Sequence, residues 1–152
     1  MFEVRVDDLS GAPTRALIAL HLAGMQSASP PGTVFALDLS GLQVPEVTVW
    51  SVWRNGNIAG IGALKMLGEG SAELKSMRTH PDFLRQGVAA HLLEHIIGEA
   101  KRRGVSRLSL ETGSGGPFEP ALALYRKRGF VEGDAFSDYV PSEFNQFLHL
   151  DL

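Results

Sequence analysis

In the segment AELKSMRTHPDFLRQGVAAHLLEHI, Ala72 to Ile96, two periodicities meet at one glycine. The first eight residues read as a strand. His80 and Pro81 break it, because proline lacks the N–H a strand ladder needs. From Val88 onward apolar residues fall at helical spacing: Val88, Leu92, Leu93, Ile96, Ile97 and Ala100 form one face. Lys101 to Arg103 crowd the last turn and Gly104 stops the helix. Gly87 therefore sits in a polar loop between a strand and a helix. Such a loop presents free N–H groups and the positive end of the helix dipole, an arrangement suited to phosphate. Ala89 and Ala90 are small enough for a ligand to approach the backbone closely. The loop is neither a P-loop, since no Gly-Lys-Ser/Thr follows, nor a G-x-G-x-x-G fingerprint.

The same helix spells a second pattern. His91, Glu94 and His95 form H-x-x-E-H, which occurs in zinc peptidases. The helical wheel puts these residues on the polar flank of the apolar face, and no third ligand stands out. No metal is expected.

Outward from this segment the chain reads as β-α-α-β-β-β-α-β-α-β-β. FEVRV opens as an alternating strand. After Pro13 a helix runs through Met25 and breaks at SASPPG, Ser27 to Gly32; TVFALDLSGL is a short second helix ending near Gly41. VTVWSVW and IAGIGALKML flank Asn55-Gly56, a strong hairpin signal. A Gly-Glu-Gly turn leads into the strand of the opening segment. VSRLSLET is the next strand, Pro120 to Arg128 a helix ended by Gly129, and the tail holds a short strand or turn and a last strand from about Phe144. Tight turns make the middle three strands antiparallel. The step from Ala72 to Thr112 is a right-handed parallel crossover. These elements form one α/β domain over residues 1–152, with a mixed sheet of about 6–7 strands and helices on both faces. Ligands in such sheets favour the point where strand direction breaks.

Composition narrows the function. The chain has 152 residues, a length for one domain, and no apolar run reaches the roughly 18 residues of a spanning helix. The first residues carry acid and lack the apolar stretch of a signal peptide. With no cysteine, thiol nucleophiles and disulfides are excluded, which fits a cytoplasmic protein. A net charge of −3 argues against nucleic acid. From Lys75 to Arg128, however, ten Lys and Arg face five Asp and Glu. A basic middle in an acidic chain suits a compact anionic ligand.

Together these features resemble the GNAT N-acetyltransferase superfamily. The resemblance rests on the strand, the Pro turn and a [Q/R]-x-x-G-x-[G/A] loop opening a helix, here Leu84, Arg85, Gln86, Gly87, Val88 and Ala89. Downstream, ALALYRKRGF (Ala121 to Phe130) is similar to the family's A-x-x-L-Y-x-x-x-G-F signature. The resemblance covers essentially the whole chain. It implies an acetyl-CoA-dependent transfer to a primary amine. Met77, Arg78 and Thr79 would run beside the pantetheine arm, and Arg85, Gln86, Gly87, Val88, Ala89 and Ala90 would wrap the pyrophosphate. The cofactor would lie where the strand at Glu73 and the strand at Leu108 splay apart. One position departs: Leu84 stands where the family has Gln or Arg, and Arg85 beside it is the substitute.

Amine acetylation needs a neutral amine, a polarised thioester carbonyl and a protonated leaving thiolate. Neutralising a Lys-like ammonium at pH 7 costs about 4–5 kcal/mol, and an α-ammonium about 1 kcal/mol. The resemblance assigns the base to Glu73, acting through water; Glu111, at the end of the next parallel strand, is the reserve candidate, and His21 on the first helix a third. Alternation sets Glu73 on one face with Lys75 and Met77. Tyr125, in the Leu-Tyr position of the second signature, is the implied acid. Met25, Ser29, Trp50, Arg78 and Tyr139 are candidates to line the acceptor site. The acceptor is expected to be a small molecule; alternatives are a protein N-terminus or lysine, or a CoA-binding sensor without turnover. The apolar last strand could pair two copies into a homodimer.

Overall fold

A computed structural model describes all 152 residues. Seven strands form one sheet in the order β1-β2-β3-β4-β5-β7-β6. They are β1 (Glu3–Val6), β2 (Val47–Arg54), β3 (Asn57–Gly68), β4 (Ser71–Thr79), β5 (Arg107–Thr112), β6 (Val131–Glu132) and β7 (Gln146–Asp151). The helices are α1 (Ala12–Ala28), α2 (Leu39–Leu42), α3 (Val88–Arg102) and α4 (Glu119–Arg128), with single 3₁₀ turns at Pro81–Phe83 and Gly116–Phe118. The element order is the one expected. The differences lie at the ends. α1 runs three residues past Met25, because nothing before Pro30 forbids the helical backbone. Of TVFALDLSGL only Leu39–Leu42 is helical, capped by the Asp38 carboxylate, which accepts from the Gly41 N–H at 2.8 Å. The short strand of the tail, β6, comes at Val131, directly after the Gly129 stop.

Every neighbouring strand pair is antiparallel except β4 with β5. That parallel ladder holds only Ser71↔Arg107, Ala72↔Leu108 and Glu73↔Ser109. Beyond Glu73 both strands continue, paired to their outer neighbours but not to each other, so the sheet opens between them.

Two cores flank the sheet. The larger one joins Leu92, Leu93, Ile96 and Ile97 of α3 and Leu122 and Tyr125 of α4 to Leu64, Leu74, Leu108, Leu110 and Leu148. The smaller one packs Leu17 and Ile18 of α1 against Val49, Ile58, Ile61 and Ala63. Burying side chains of this size contributes roughly 1.5–3 kcal/mol each. The last strand is not a sheet edge. β5 covers one side of β7 and β6 part of the other, so its apolar residues are core and not a ready interface.

Candidate active site

β4 does not alternate throughout. Ser76 has φ 56° and the β3–β4 register slips between Ile61↔Arg78 and Ala63↔Lys75. This is a bulge, an extra residue that reverses which side chains face which way. Glu73 and Lys75 point away from α3, as alternation predicts. Met77 does not join them. A Cβ on Gly62 would meet the Met77 sulfur at 2.5 Å, with Leu92 and Ile96 next to it, so Met77 faces α3. Arg78 faces α1 instead and donates from Nε to His21 Nδ1 at 3.0 Å. The expectation that Met77 shares a face with Glu73 therefore fails, because the bulge shifts the period by one residue.

On the α1 side of the opening lies a compact polar cluster. Glu73 is 2% exposed. One carboxylate oxygen, Oε2, accepts from Lys75 Nζ at 3.0 Å and from the Tyr139 hydroxyl at 2.5 Å. Lys75 Nζ also donates to the Tyr139 oxygen at 2.7 Å. Tyr139 comes from the irregular segment between β6 and β7 and is packed by Phe35, Phe136 and Phe147. Burial first, and then the adjacent Glu73 carboxylate, push its phenol above the ordinary tyrosine range. Glu111, at the end of β5, is half-buried and its carboxyl is pushed up to about 7, chiefly by burial and partly by Glu73, against the lowering pull of Lys75. His21 is buried and pushed down to about 4, by desolvation first and then by Arg78 and Lys75. It is therefore neutral, with a lone pair for Arg78. Ser29 Oγ and Ser76 Oγ are buried without a hydrogen-bond partner.

The glycine loop lies at the other end of β4. Gly87 caps α3 with φ 82°, and no side chain caps the helix. The seven backbone N–H groups from Leu84 to Ala90 donate to no acceptor in the protein. Seven such donors in one exposed loop at a helix N-terminus are available to an anion. Gln86 accepts from Arg54 Nη1 at 2.9 Å and lies back against β2, whereas Leu84 and Arg85 are exposed.

Trp50, Met25, Glu94 and His91 fall away from the polar cluster, and Tyr125 lies on the α3 and α4 side of the sheet. Trp50 is core: it packs edge-to-face on His95 of α3 and beneath Arg103, on the sheet face opposite Lys75. Met25 packs against the larger core from the end of α1. Glu94 pairs with Arg128, while His91 lies beside the Phe2 ring. Tyr125 is 6% exposed, packed on Phe130, with a hydroxyl that makes no hydrogen bond. Burial raises its phenol above the ordinary range, so it stays protonated. Sequence reasoning missed Phe35 and Asn145. The first is an exposed aromatic in a loop, and the second is buried in the tail, donates from Nδ2 to the Val140 carbonyl at 3.1 Å and helps lower the Glu111 carboxyl against the effect of burial. Neither has a local pattern that marks it.

A split parallel joint with a donor loop at one end and two carboxylates on its face is a place where ligands bind in such sheets, and it is the place where the GNAT resemblance sets the cofactor. The acetyltransferase (GNAT) family model matches residues 15–130. The chain belongs to the GNAT acetyltransferase family. Its sequence is 47% identical to the uncharacterized N-acetyltransferase YedL of Escherichia coli (strain K12), over 100% of this chain and 96% of the relative. It is 48% identical to the uncharacterized N-acetyltransferase YsnE of Bacillus subtilis (strain 168), over 90% of each. The fold superposes with a TM-score of 0.84, at 29% identity, on a crystal structure assigned to the acyl-CoA N-acyltransferases from Klebsiella pneumoniae, covering 100% of this chain and 98% of that one. The GNAT chain described here is thus an acyltransferase with a seven-stranded mixed sheet. No helix in it is long and apolar enough to cross a membrane.

Proposed function

We propose that this GNAT protein is a cytoplasmic acetyl-CoA-dependent N-acetyltransferase that acetylates the primary amine of a small molecule by direct attack in a ternary complex. The observation that carries the reading is the opened β4–β5 joint. It has seven free N–H donors at one end and the buried Glu73, Lys75 and Tyr139 cluster on its face.

The donor set fits the cofactor. N–H groups from Leu84 to Ala90, with the exposed Arg85 side chain, would hold the pyrophosphate, and Met77 to Thr79 would flank the pantetheine arm. Acetyl-CoA supplies an acyl carbon on a thiol leaving group. As the acceptor nitrogen bonds to that carbon, Glu73 takes the amine proton through water and the carbon–sulfur bond breaks. The Tyr125 hydroxyl then returns a proton to the sulfur. Its raised pKa keeps that proton in place at neutral pH until the thiolate forms. Phe35 and Phe136 pack on Tyr139, whose hydroxyl meets Glu73, and aromatic packing this close to the carboxylate favours a compact acceptor over a protein chain.

One observation favours a second assignment of the base. Glu73 is already engaged by Lys75 and Tyr139, whereas Glu111 is pushed to about 7, where a general base is best matched to neutral pH.

Thermal unfolding with acetyl-CoA, followed by thiol release over a panel of amines and short peptides, tests the reading. Ligand at about 100 times its Kd adds about 2.7 kcal/mol of stability. Stabilisation with thiol release on small amines is the expected result. Release only with peptides would reject the small-molecule acceptor, and stabilisation without any turnover would favour a CoA sensor.

A further inference from the structure

The cluster beside the joint holds a cation without a counter-ion. Arg78 is half-buried and forms no ion pair. Its only hydrogen bond leaves through Nε to neutral His21, so both terminal nitrogens of the guanidinium are free. Lys75, three residues away, is committed to Glu73 and Tyr139. A half-buried charge without a partner is costly, and the free fork of a guanidinium matches a carboxylate in two parallel hydrogen bonds.

Two local features are built around this side chain. The first is the bulge at Ser76. Under strict alternation Arg78 would lie on the sheet face opposite Glu73 and Lys75; the extra residue brings it to their face. The second is Gly24 on α1. A Cβ there would stand 2.9 Å from Arg78 Nη2 and 3.4 Å from Cζ, so the guanidinium lies close against α1 at residue 24 and would have to shift to make room for a side chain there. The backbone of β4 runs past the joint in the sheet plane while the Arg78 side chain stands out of it. The same residue can therefore flank a cofactor arm with its amide and meet an acceptor with its guanidinium.

We propose that Arg78 is the carboxylate receptor of the acceptor site, so that the substrate is a small amine bearing a carboxylate, an amino-acid-like zwitterion. The inference rests on the acetyltransferase reading above. The acceptor carboxylate pairs with the Arg78 fork while its amine lies toward Glu73 and Glu111. Burial, which lowers the guanidinium pKa from its ordinary value, makes an incoming anion more favourable.

The test compares matched acceptors: amino acids with aliphatic, polar and aromatic side chains, their amides, and the same amines lacking the carboxylate. Initial rates are measured for the native protein, Arg78→Met and Gly24→Ala. Alanine suits a helix, so the second variant crowds the guanidinium without removing it. The native enzyme should prefer the carboxylate-bearing member of a pair. Arg78→Met should erase that preference by raising the acceptor KM roughly 10- to 100-fold, the range expected for hydrogen bonds between charged groups, and Gly24→Ala, which forces the guanidinium to shift, should weaken it in the same direction. Equal or better turnover of amides, or an effect of Arg78→Met on the acetyl-CoA KM alone, overturns the proposal. Turnover of no carboxylate-bearing amine while acetyl-CoA still stabilises the protein overturns it too, and leaves the acetyltransferase reading intact. Failure to bind acetyl-CoA removes that reading itself and this inference with it.

Discussion

At the scale of single residues the two carboxylates differ in what surrounds them. Glu73 is buried beside a lysine and a phenol, and both donate to it. Glu111 has the nearly neutral pKa. If Glu73 is the base, Glu73→Gln should lower kcat/KM about 10²–10⁴-fold near neutral pH and much less at high pH, where the amine is already neutral. Glu111→Gln should then leave the pH profile in place. The opposite pattern, in which Glu111→Gln abolishes an ascending limb near pH 7, would transfer the role to Glu111. Tyr125→Phe should depress kcat with acetyl-CoA affinity nearly unchanged, and unchanged turnover would assign the acid elsewhere. Tyr125 was readable as a candidate because it falls at a signature position, and the two carboxylates because they lie on the predicted strands flanking the joint. The company Glu73 keeps was not: Tyr139 is 66 residues away and nothing local links them.

At the scale of elements, the loop before α3 works through backbone conformation. Gly87 adopts φ 82°, which costs an L-residue about 1–2 kcal/mol, and the space around its missing Cβ is empty. Gly87→Ala should therefore lose about that much stability through backbone strain and not through a clash. Calorimetric titration should also show acetyl-CoA binding weakened at least tenfold, because a relaxed loop would turn its N–H groups out of register; unaltered affinity would show that these donors do not hold the ligand. The strand–loop–helix unit was legible because two periodicities and one glycine mark it. The bulge in β4 was not, since SMRT carries no glycine and Ser76 enters the positive-φ region under the pull of the β3 register. One slipped residue reassigned Met77 and Arg78 to opposite faces.

At the scale of the whole molecule, the buried cluster couples to stability in two opposing ways. His21, pushed down to about 4, takes up a proton on unfolding between about pH 4 and 6.5. Its contribution is full above 6.5 and is lost as pH falls, by about 3 kcal/mol. Glu111, pushed from 4.5 up to about 7, releases a proton on unfolding in that range, so its contribution is full below 4.5 and is lost as pH rises through 7. Between pH 4.5 and 6.5 the two trends offset each other. Denaturant titrations should show that His21→Gln, relative to the native protein, adds a fall in stability with rising pH, whereas Glu111→Gln adds a rise; slopes of the same sign would reject the assignment. The sequence by itself determined the element order, the parallel crossover, the glycine loop and the family, because each is written in short-range periodicity and in turn residues. Only the tertiary structure decided that Trp50 is core, that the last strand lies inside the sheet, and that Arg78 meets His21 and Gly24 on the face of Glu73. Those facts depend on register and on contacts between residues far apart in the chain, and a one-residue slip in a strand reverses every face beyond it.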